Sequence, residues 1–281
     1  MRNRLRSEFR KATWGLLGLL CVQCAKAQRD TSTVYRVNGW VDGPLIAAGT
    51  AAFITGMKAQ NARPALNGEE VLGLGSFSVP GLDRAALRID PSGQERAMHI
   101  SDRVMYGTLA APALLLLDGR VRKEWLGVYT LYFETAAITS GMQAWSCVSA
   151  GRYRPITYIE SATLEQRVDQ RNTNSFYSGH TANTAMASFF MAQVLSDMHP
   201  ELGAKRWLLY GAAAVPPAVV GYYRIQAGKH FPTDVLTGAL MGAATGVMVP
   251  WLHKRAPWKG HVELVPLASP ELLGMHLGVR W

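Results

Sequence analysis

Apolar runs separated by polar loops make up most of the chain after residue 100. These runs are residues 104–117, 125–145, 182–195, 207–222 and 235–251. An earlier apolar segment at 41–57 is followed by a region rich in glycine, proline and charge at 58–102. The pattern predicts an all-α protein, a helical bundle of about five to six helices with short extended arms at both ends of the chain.

The lengths of these runs leave two environments open. Most runs are shorter than the ~20 residues that a membrane-spanning helix needs. Pro112 interrupts one run, Pro216 and Pro217 interrupt another, and Glu134 lies within a third. We expect Glu134 to pair with a basic or hydroxyl group inside the bundle. Membrane helices and the buried helices of a soluble bundle are both compatible with this pattern.

The first 27 residues have the layout of a secretory signal peptide. A basic start at 1–6 precedes an apolar stretch at 12–24, and Ala25 and Ala27 supply small residues before the predicted cleavage point. Cleavage leaves Cys147 as the remaining cysteine, so no intramolecular disulfide is expected in the exported chain. The formal charge of +9 suits anionic substrates or lipid surfaces, and no nucleic-acid-binding motif is present.

Three polar stretches hold candidate chemistry, and each lies where an apolar run meets a loop. They are Arg152-Tyr153-Arg154-Pro155, Ser178-Gly179-His180, and the stretch from Arg224 through Lys229 and His230 to Asp234. If successive helices run antiparallel, all three stretches lie at one end of the bundle. That end is the predicted active site.

The third stretch has the spacing of a catalytic pair. Asp234 follows His230 by four residues, which places both side chains on one face if a helix begins near residue 231 or 232. The carboxylate can then accept the Nδ1–H, which fixes the tautomer and leaves Nε2 free as a nucleophile. Arg224 offers a planar cation to a phosphate. Ser178 and Gly179 precede a helix N-terminus, where an anion is favoured.

In this order, the patterns R-x-R-P, S-G-H and R-x5-H-x3-D resemble those of the type 2 phosphatidic acid phosphatase (PAP2) and vanadium haloperoxidase superfamily. The resemblance spans residues 147–234. It implies a hydrolase in which His230 attacks phosphorus, Asp234 orients His230, and His180 acts as general acid and then as general base. The implied reaction passes through a phosphohistidine and uses no metal or other cofactor. The predicted phosphate-binding residues are Arg154, Arg224, Ser178 and Gly179, with Arg152 and Lys229 as further candidates.

Three positions depart from the pattern of the superfamily. Cys147 stands where a lysine is usual, Tyr177 replaces the proline before S-G-H, and Tyr223 replaces the serine before the arginine of the third motif. The missing lysine removes a phosphate contact that Arg152 or Lys229 would have to supply. We expect these changes to affect substrate preference more than chemistry.

Three other functions remain open at this point. A vanadium haloperoxidase would share the fold and the site, and a non-catalytic lipid-phosphate binder would fit the presence of Cys147 in place of lysine. A zinc site at His230 and Asp234 would need a third ligand such as Cys147 or Glu134. The remaining histidines belong to no motif and are expected at the surface: His99, His199, His253, His261 and His276.

Basic loops predict the orientation of the bundle. Residues 118–123, 204–206 and 253–255 are rich in Lys and Arg, and all fall at the end opposite the motifs. The positive-inside rule then places those loops in the cytoplasm and the active site on the periplasmic side of the inner membrane. A phosphorylated lipid or polyprenyl pyrophosphate would be the natural substrate. A soluble periplasmic acid phosphatase acting on small phosphomonoesters is the alternative.

This orientation does not accommodate the segment at 41–57. A cleaved N-terminus and residue 104 would both lie outside, so a crossing by this segment would lack a return crossing. We therefore expect it to lie on the surface or to pack across the bundle. By sequence, the chain divides into the signal peptide at 1–27, an N-terminal region at 28–102, a PAP2-type core at 103–252 and a basic, strand-like tail at 253–281.

Overall fold

The computed structural model describes residues 33–89, 91–255, 262–269 and 272–279, and the predicted signal peptide lies outside them. The α-helices in the described part are α1 (Gly39–Asn61), α2 (Gly68–Leu72), α3 (Gln94–Ala110), α4 (Gly119–Lys123), α5 (Trp125–Ala150), α6 (Leu164–Arg167), α7 (Gly179–Met198), α8 (Arg206–Ala213), α9 (Val215–Gln226) and α10 (Pro232–His253). A 3-10 helix, Ala111–Leu117, continues α3. The predicted helical fold class is confirmed. In the tail, β1 (Val262–Ser269) and β2 (Leu272–Val279) pair as an antiparallel hairpin.

Helix α7 is the central helix of the bundle and packs against α3, α5, α8, α9 and α10. Most of its side chains are buried. Phe190 and Val194 of α7 form one core cluster with Val128 and Leu131 of α5. Each fully buried apolar side chain of this size contributes about 1.5–3 kcal/mol. The helix that carries S-G-H at its N-terminus is therefore the best-anchored helix of the fold.

Helix α10 approaches α7 closely because glycines recur along it at every fourth position. Gly238, Gly242 and Gly246 all face the α7 backbone. A methyl group at Gly238 would lie 2.5 Å from the Ser178 carbonyl oxygen, and one at Gly242 would overlap the carbonyl oxygen of Ala182. The glycine stripe thus allows the first turn of α10 to lie directly beside the first turn of α7.

Helix α1 lies along α5 and runs in the same direction. Gly49 contacts the backbone at Ala137, Gly56 contacts Ala144, and the Gln60 Nε2–H donates to the Ala144 carbonyl at 2.8 Å. These contacts run lengthwise along α5, so the expectation that segment 41–57 packs across the bundle is corrected, while most of its side chains are exposed, as expected for a segment at the surface. The 23 residues of α1 form a full member of the bundle, about 35 Å long at 1.5 Å per residue.

Contacts between helix termini define two ends of the bundle. Lys254 after α10 pairs with Asp197 of α7 at 2.5 Å, His199 pairs with Asp118 at 2.7 Å, and Tyr35 before α1 forms a backbone bridge with Lys254. We call this the basic end, and it contains residues 33–38, 118–124, 199–206 and 253–255. The motif end is the opposite one and contains the N-termini of α7 and α10 and the C-termini of α1, α5 and α9.

Two helical segments in the described part are long and apolar enough to cross a membrane, Gln94–Leu117 and Pro232–His253. Within the apolar 18-residue stretch of each segment, only 28% is buried, whereas the core helix of a soluble protein is mostly buried. The exposed apolar side chains of α10 are Leu236, Leu240, Met248, Trp251 and Leu252. An outer surface of this composition is compatible with contact with lipid.

Candidate active site

The three motif stretches meet at the motif end. Backbone hydrogen bonds join their loops: Ser175 N to Arg152 O (3.0 Å), Ile156 N to Gly228 O (3.2 Å) and Ser178 N to Asp234 O (3.1 Å). Gly228 has a φ of 65°, a conformation that glycine adopts without strain, in the turn before His230. The loops bring His180, His230, Arg154 and Arg224 close enough for their charges to interact.

His230 is held as a neutral imidazole with a free ring nitrogen. Its side chain is buried, and its Nδ1–H donates to the Ser175 carbonyl oxygen at 2.7 Å. Burial and the positive charges of Arg224 and Arg154 hold the pKa of His230 well below its usual value. No hydrogen bond to Nε2 forms within the described part of the chain. Nε2 therefore carries an available lone pair, as a nucleophile requires.

Asp234 does not accept the Nδ1–H of His230, in contrast to the geometry expected from their spacing. Its Oδ2 lies 4.0 Å from that nitrogen. The same carboxylate accepts hydrogen bonds from the Ser175 hydroxyl at 2.6 Å and the Phe231 N–H at 2.8 Å. Asp234 thus orients His230 through Ser175, whose carbonyl oxygen holds the ring. Ser175 belongs to no motif pattern, and sequence reasoning missed it.

Arg152, predicted as a further phosphate ligand, has a different set of partners. One terminal nitrogen pairs with Asp83 and the other with Asp234, both at 2.5 Å, and the guanidinium lies 4.4 Å from the centre of the Phe231 ring. Its remaining bond, at 2.8 Å, is to the Thr233 hydroxyl. With its donors occupied in this way, Arg152 fastens the start of α10 to the loop around Asp83.

Arg154 and Arg224 have unsatisfied donors. The Nε atoms of both are buried and lack a hydrogen-bond partner among the described residues. Arg224 is only 5% exposed, and one of its terminal nitrogens lies 3.5 Å from Asp102. Burial lowers the pKa of Arg154 from its ordinary value. Buried Arg224 and half-buried Arg154, each with a buried Nε donor left open, form a site that an anion would complete.

Lys229 adds a third cation to this group. Burial, with repulsion from Arg154, Arg224 and Arg171, lowers the pKa of Lys229 to about 8. Arg154 and Lys229 also face a cavity of about 130 Å³. Its lining residues are Gln94, Arg154, Ile156, Gln166, Asp169, Arg171, Asn172 and Lys229. The position of Lys229 fits the prediction that it compensates for the missing lysine of the first motif.

Ser178 and Gly179 form the N-terminus of α7. Ser178 is fully buried and caps the helix, since its Oγ accepts from the Thr181 N–H at 3.4 Å. Gly179 is the first helical residue, and a methyl group there would lie 2.9 Å from the side chain of Gln143. The hydroxyl of Ser178 is therefore engaged in capping, and the first-turn N–H groups of α7 are what this stretch offers to an anion.

His180 has a carboxylate partner that belongs to none of the three motifs. Its Nε2 lies 3.0 Å from Asp102 Oδ1, and the same oxygen lies 3.5 Å from Arg224. Asp102 lies inside α3, which begins at Gln94. Asp102 therefore links the proposed proton donor to a phosphate-binding arginine.

Cys147 fills the position of the usual lysine without providing a charge. It is buried, and its Sγ accepts from the Gln143 Nε2–H at 3.1 Å. Gln143 also donates to the Tyr177 carbonyl at 3.1 Å. Gln143, held by Cys147, thus connects α5 to the loop before S-G-H.

Two histidines, two arginines with open donors and a helix N-terminus at one end of a helical bundle define the class of a phosphate-transfer site. A family model described as the PAP2 superfamily matches residues 104–258. Because this match covers more than half of the chain, the protein belongs to the PAP2 superfamily. This result confirms the assignment made from the three motifs and, with it, the prediction of a PAP2-type hydrolase.

Two known proteins are similar to parts of the chain. Phosphatidylglycerophosphatase B of Bacillus subtilis (strain 168) is 38% identical over 68 residues, which are 24% of this chain and 34% of that protein. The chain thus aligns with about a third of this curated relative. A crystal structure of the first transmembrane PAP2 type phosphatidylglycerolphosphate phosphatase from Bacillus subtilis is 21% identical, with a TM-score of 0.44, over 75% of this chain and 98% of that one.

Proposed function

We propose that the protein is a phosphohydrolase that cleaves phosphomonoesters or pyrophosphates through a phosphohistidine at His230. One observation carries the proposal. Arg154 and Arg224 each keep a buried Nε–H without a described partner beside a neutral His230 whose Nε2 is unbonded. A phosphoryl group satisfies these planar donors and offers the imidazole an electrophilic phosphorus.

The reaction consists of two displacements. Nε2 of His230 attacks phosphorus in line, and a P–N bond forms as the P–O bond to the leaving group breaks. His180, in its protonated form, gives its proton to the departing oxygen. Burial and the charge of Arg224 lower the pKa of His180 to about 4, so this step is favoured at acidic pH. Neutral His180 then takes a proton from water, whose oxygen attacks the phosphohistidine and releases inorganic phosphate and free His230.

Side-chain cations supply the charge stabilisation in this scheme, so the proposed reaction uses no metal ion. Arg154, Arg224 and Lys229 face the negative phosphoryl oxygens in a site of low dielectric, where such contacts are strong. The ring of His230 becomes positive when it attacks. The Ser175 carbonyl at 2.7 Å and the Asp234 carboxylate at 4.0 Å both stabilise that charge.

Phosphate release from a generic phosphomonoester tests the proposal. We expect unchanged turnover in a chelator and a loss of at least ~10³-fold in His230→Ala. His199→Ala is the matched control, because His199 lies at the basic end. Vanadate should inhibit competitively, since its trigonal-bipyramidal form resembles the transition state. Turnover that stops in chelator while the protein stays folded, or an active His230→Ala, would contradict the scheme.

The substrate is proposed to be a phosphorylated lipid because an apolar groove begins near the site. This groove of about 380 Å³ lies between α3, α7 and the α8–α9 pair and is lined by Val104, Gly107, Thr108, Ala111, Ser188, Met191, Ala192, Leu195, Leu209, Ala212, Ala213 and Pro216. On α3 it starts two residues after Asp102. On α7 it starts eight residues after His180, or about 12 Å along the helix. An acyl or prenyl chain in the groove would leave its phosphate near the arginines.

Gly107→Phe tests the role of the groove. Gly107 lines it and has open space where a side chain would begin, so the ring fills the groove without straining α3. We expect kcat/KM for a long-chain lipid phosphate to fall at least ~10-fold while a water-soluble phosphomonoester is unaffected. Gly211→Phe is the control, since Gly211 also has open space but does not line the groove. Equal effects on both substrates would argue against a lipid substrate.

The enzyme is proposed to lie in the inner membrane with the motif end on the periplasmic side. The apolar outer surfaces of α3 and α10 and the Lys and Arg residues of the basic end support this orientation. Since α1 starts at the basic end, residues 33–38 would stay cytoplasmic, whereas cleavage after residue 27 by a periplasmic peptidase would place them outside.

Two measurements separate these arrangements. Alkaline carbonate extraction should leave the active protein in the membrane fraction, and the intact mass of the purified chain reports cleavage. An uncleaved, membrane-retained chain supports the proposed orientation. Release of the active protein into the soluble fraction would instead indicate a soluble acid phosphatase.

A further inference from the structure

A second group of ionisable side chains lies at the basic end, away from the proposed phosphate site. It consists of Asp42 in the first turn of α1, Glu134 of α5 and His253 in the last turn of α10. Asp42 and Glu134 are 1% and 2% exposed, and the His253 side chain is 16% exposed. His253 was expected at the surface, and the structure corrects this, because its ring packs between two buried carboxylates.

The hydrogen bonds of His253 fix which ring nitrogen faces the carboxylates. Nδ1 lies 2.8 Å from the Val249 carbonyl oxygen, which can only accept, so Nδ1 carries a proton. Nε2 lies 3.2 Å from Asp42 Oδ1 and 3.7 Å from Glu134 Oε2. In neutral imidazole this nitrogen has a lone pair, so three acceptor atoms face one another.

Glu134 shows that a second proton on His253 would not complete the group. Its Oε2 is buried and has no hydrogen-bond partner in the described part of the chain. A second proton on His253 would bond to Asp42, but Glu134 Oε2 at 3.7 Å lies beyond hydrogen-bond distance. Asp42 Oδ2 is already satisfied by the Asn38 N–H at 2.6 Å. One cation placed among the three open atoms would satisfy all of them.

We propose that Asp42, Glu134 and His253 bind one divalent cation of the zinc class. One imidazole nitrogen and two carboxylate oxygens are ligands that Zn²⁺ uses, and their three atoms lie within 4.8 Å of one another. Ligands at the ~2.0–2.1 Å bond lengths of tetrahedral zinc are about 3.4 Å apart, between the two separations seen here. The partly exposed His253 edge provides the entry path, and water takes the fourth position.

The cation would be structural rather than catalytic. It ties the first turn of α1 to the middle of α5 and the last turn of α10, and its dipositive charge balances the two buried carboxylates. The chemistry at His230 is at the other end of the bundle, so this site and the phosphohydrolase proposal stand independently. Chelation is expected to lower thermal stability and to leave turnover at low temperature unchanged.

Zinc stoichiometry of the full chain tests the proposal. Protein without a histidine tag is depleted with a chelator, supplied with Zn²⁺, passed through gel filtration and analysed by elemental mass spectrometry. We expect one Zn²⁺ per wild-type chain, and binding weaker by more than ~100-fold in Glu134→Gln and His253→Gln, which exceeds the loss of an outer-shell partner. His199→Gln should retain the ion, since His199 belongs to a different acidic pair at the same end.

A second measurement uses the wild type alone, so that variants that fail to fold do not decide the outcome. Zn²⁺ should raise the Tm of the depleted wild type, and bound Co²⁺ should give the intense visible absorption of a four-coordinate site. The proposal would be overturned if the wild type bound no Zn²⁺ and neither the metal nor the chelator changed its Tm. So would folded Glu134→Gln and His253→Gln variants that bind as tightly as the wild type.

Discussion

The cations beside His230 differ in their pairing from two cations at the basic end of the bundle. At the basic end, Lys254 pairs with Asp197 at 2.5 Å and Arg120 pairs with Glu201 at 2.9 Å. At the motif end, Arg154 and Arg224 keep buried nitrogens without a partner among the described residues. Lys254 and Arg120 are neutralised by the protein itself, whereas Arg154 and Arg224 beside His230 are left for a ligand; Arg255 of the basic end also keeps a buried Nε without a described partner.

The carboxylates explain this contrast. At the motif end, Asp83 and Asp234 are both taken by Arg152, so they do not neutralise Arg154 or Lys229. Among the described carboxylates, Asp102 is the one that pairs with Arg224, at 3.5 Å, and it is shared with His180. Keeping buried cations unpaired costs stability, and proteins retain such arrangements where binding or catalysis uses them.

The largest effect is expected from removing an open arginine. Arg154→Ala or Arg224→Ala should each lower kcat/KM by about 10²–10³-fold, as for one donor of a charge-stabilising site. Arg120→Ala removes a cation that is exposed and paired, and it should change kcat/KM by less than ~2-fold. Steady-state kinetics on one phosphomonoester compares the three variants. Similar losses at both ends would remove the distinction between paired and open cations.

A smaller effect is expected from Asp102→Asn, which keeps the shape but removes the charge beside His180. We expect kcat to fall about 10- to 100-fold, less than the loss of the acid–base group itself. Without the carboxylate, protonated His180 is less stable, so the high-pH limb of the kcat profile should move to lower pH. A changed KM with an unshifted profile would show that Asp102 serves Arg224 alone.

The smallest effect concerns Lys229 and pH. Its pKa of about 8 means that its charge is present below that pH and is lost as the pH rises through it. KM for a phosphomonoester should therefore rise above pH 8. The expected rise is a few-fold, because the contact between the Lys229 ammonium and the substrate phosphate (~1 kcal/mol) is lost. Lys229→Arg should remove this rise, because arginine stays charged. An unchanged profile in Lys229→Arg would assign the rise to another group.

The fold class and most of the site could be predicted because their signals are local. Ser178-Gly179-His180 and the His230–Asp234 pair lie at helix starts, and the apolar runs give the helices. Short patterns at the same end of successive helices are brought together by antiparallel packing alone. This is why His180, His230, Arg154 and Arg224 converge as predicted.

The missed contacts depend on long-range geometry. Asp83 lies in the loops before α3, and Asp102 lies within α3. Both reach the site only through the packing of these segments against the bundle. The direction of α1 follows from glycine contacts with α5, which no local pattern reveals. The indirect role of Asp234 could not be predicted either, because four-residue spacing permits a bond to His230 but does not require one.

The central claim is that His230 becomes covalently phosphorylated, and trapping that species tests it most directly. His180→Ala, given an aryl phosphate with a good leaving group, should form the P–N bond but break it slowly. After an alkaline quench, mass spectrometry should find one phosphoryl group on His230, and none in the His180→Ala/His230→Ala double variant. Label on another residue, or none while the aryl product is released in a burst, would contradict the account.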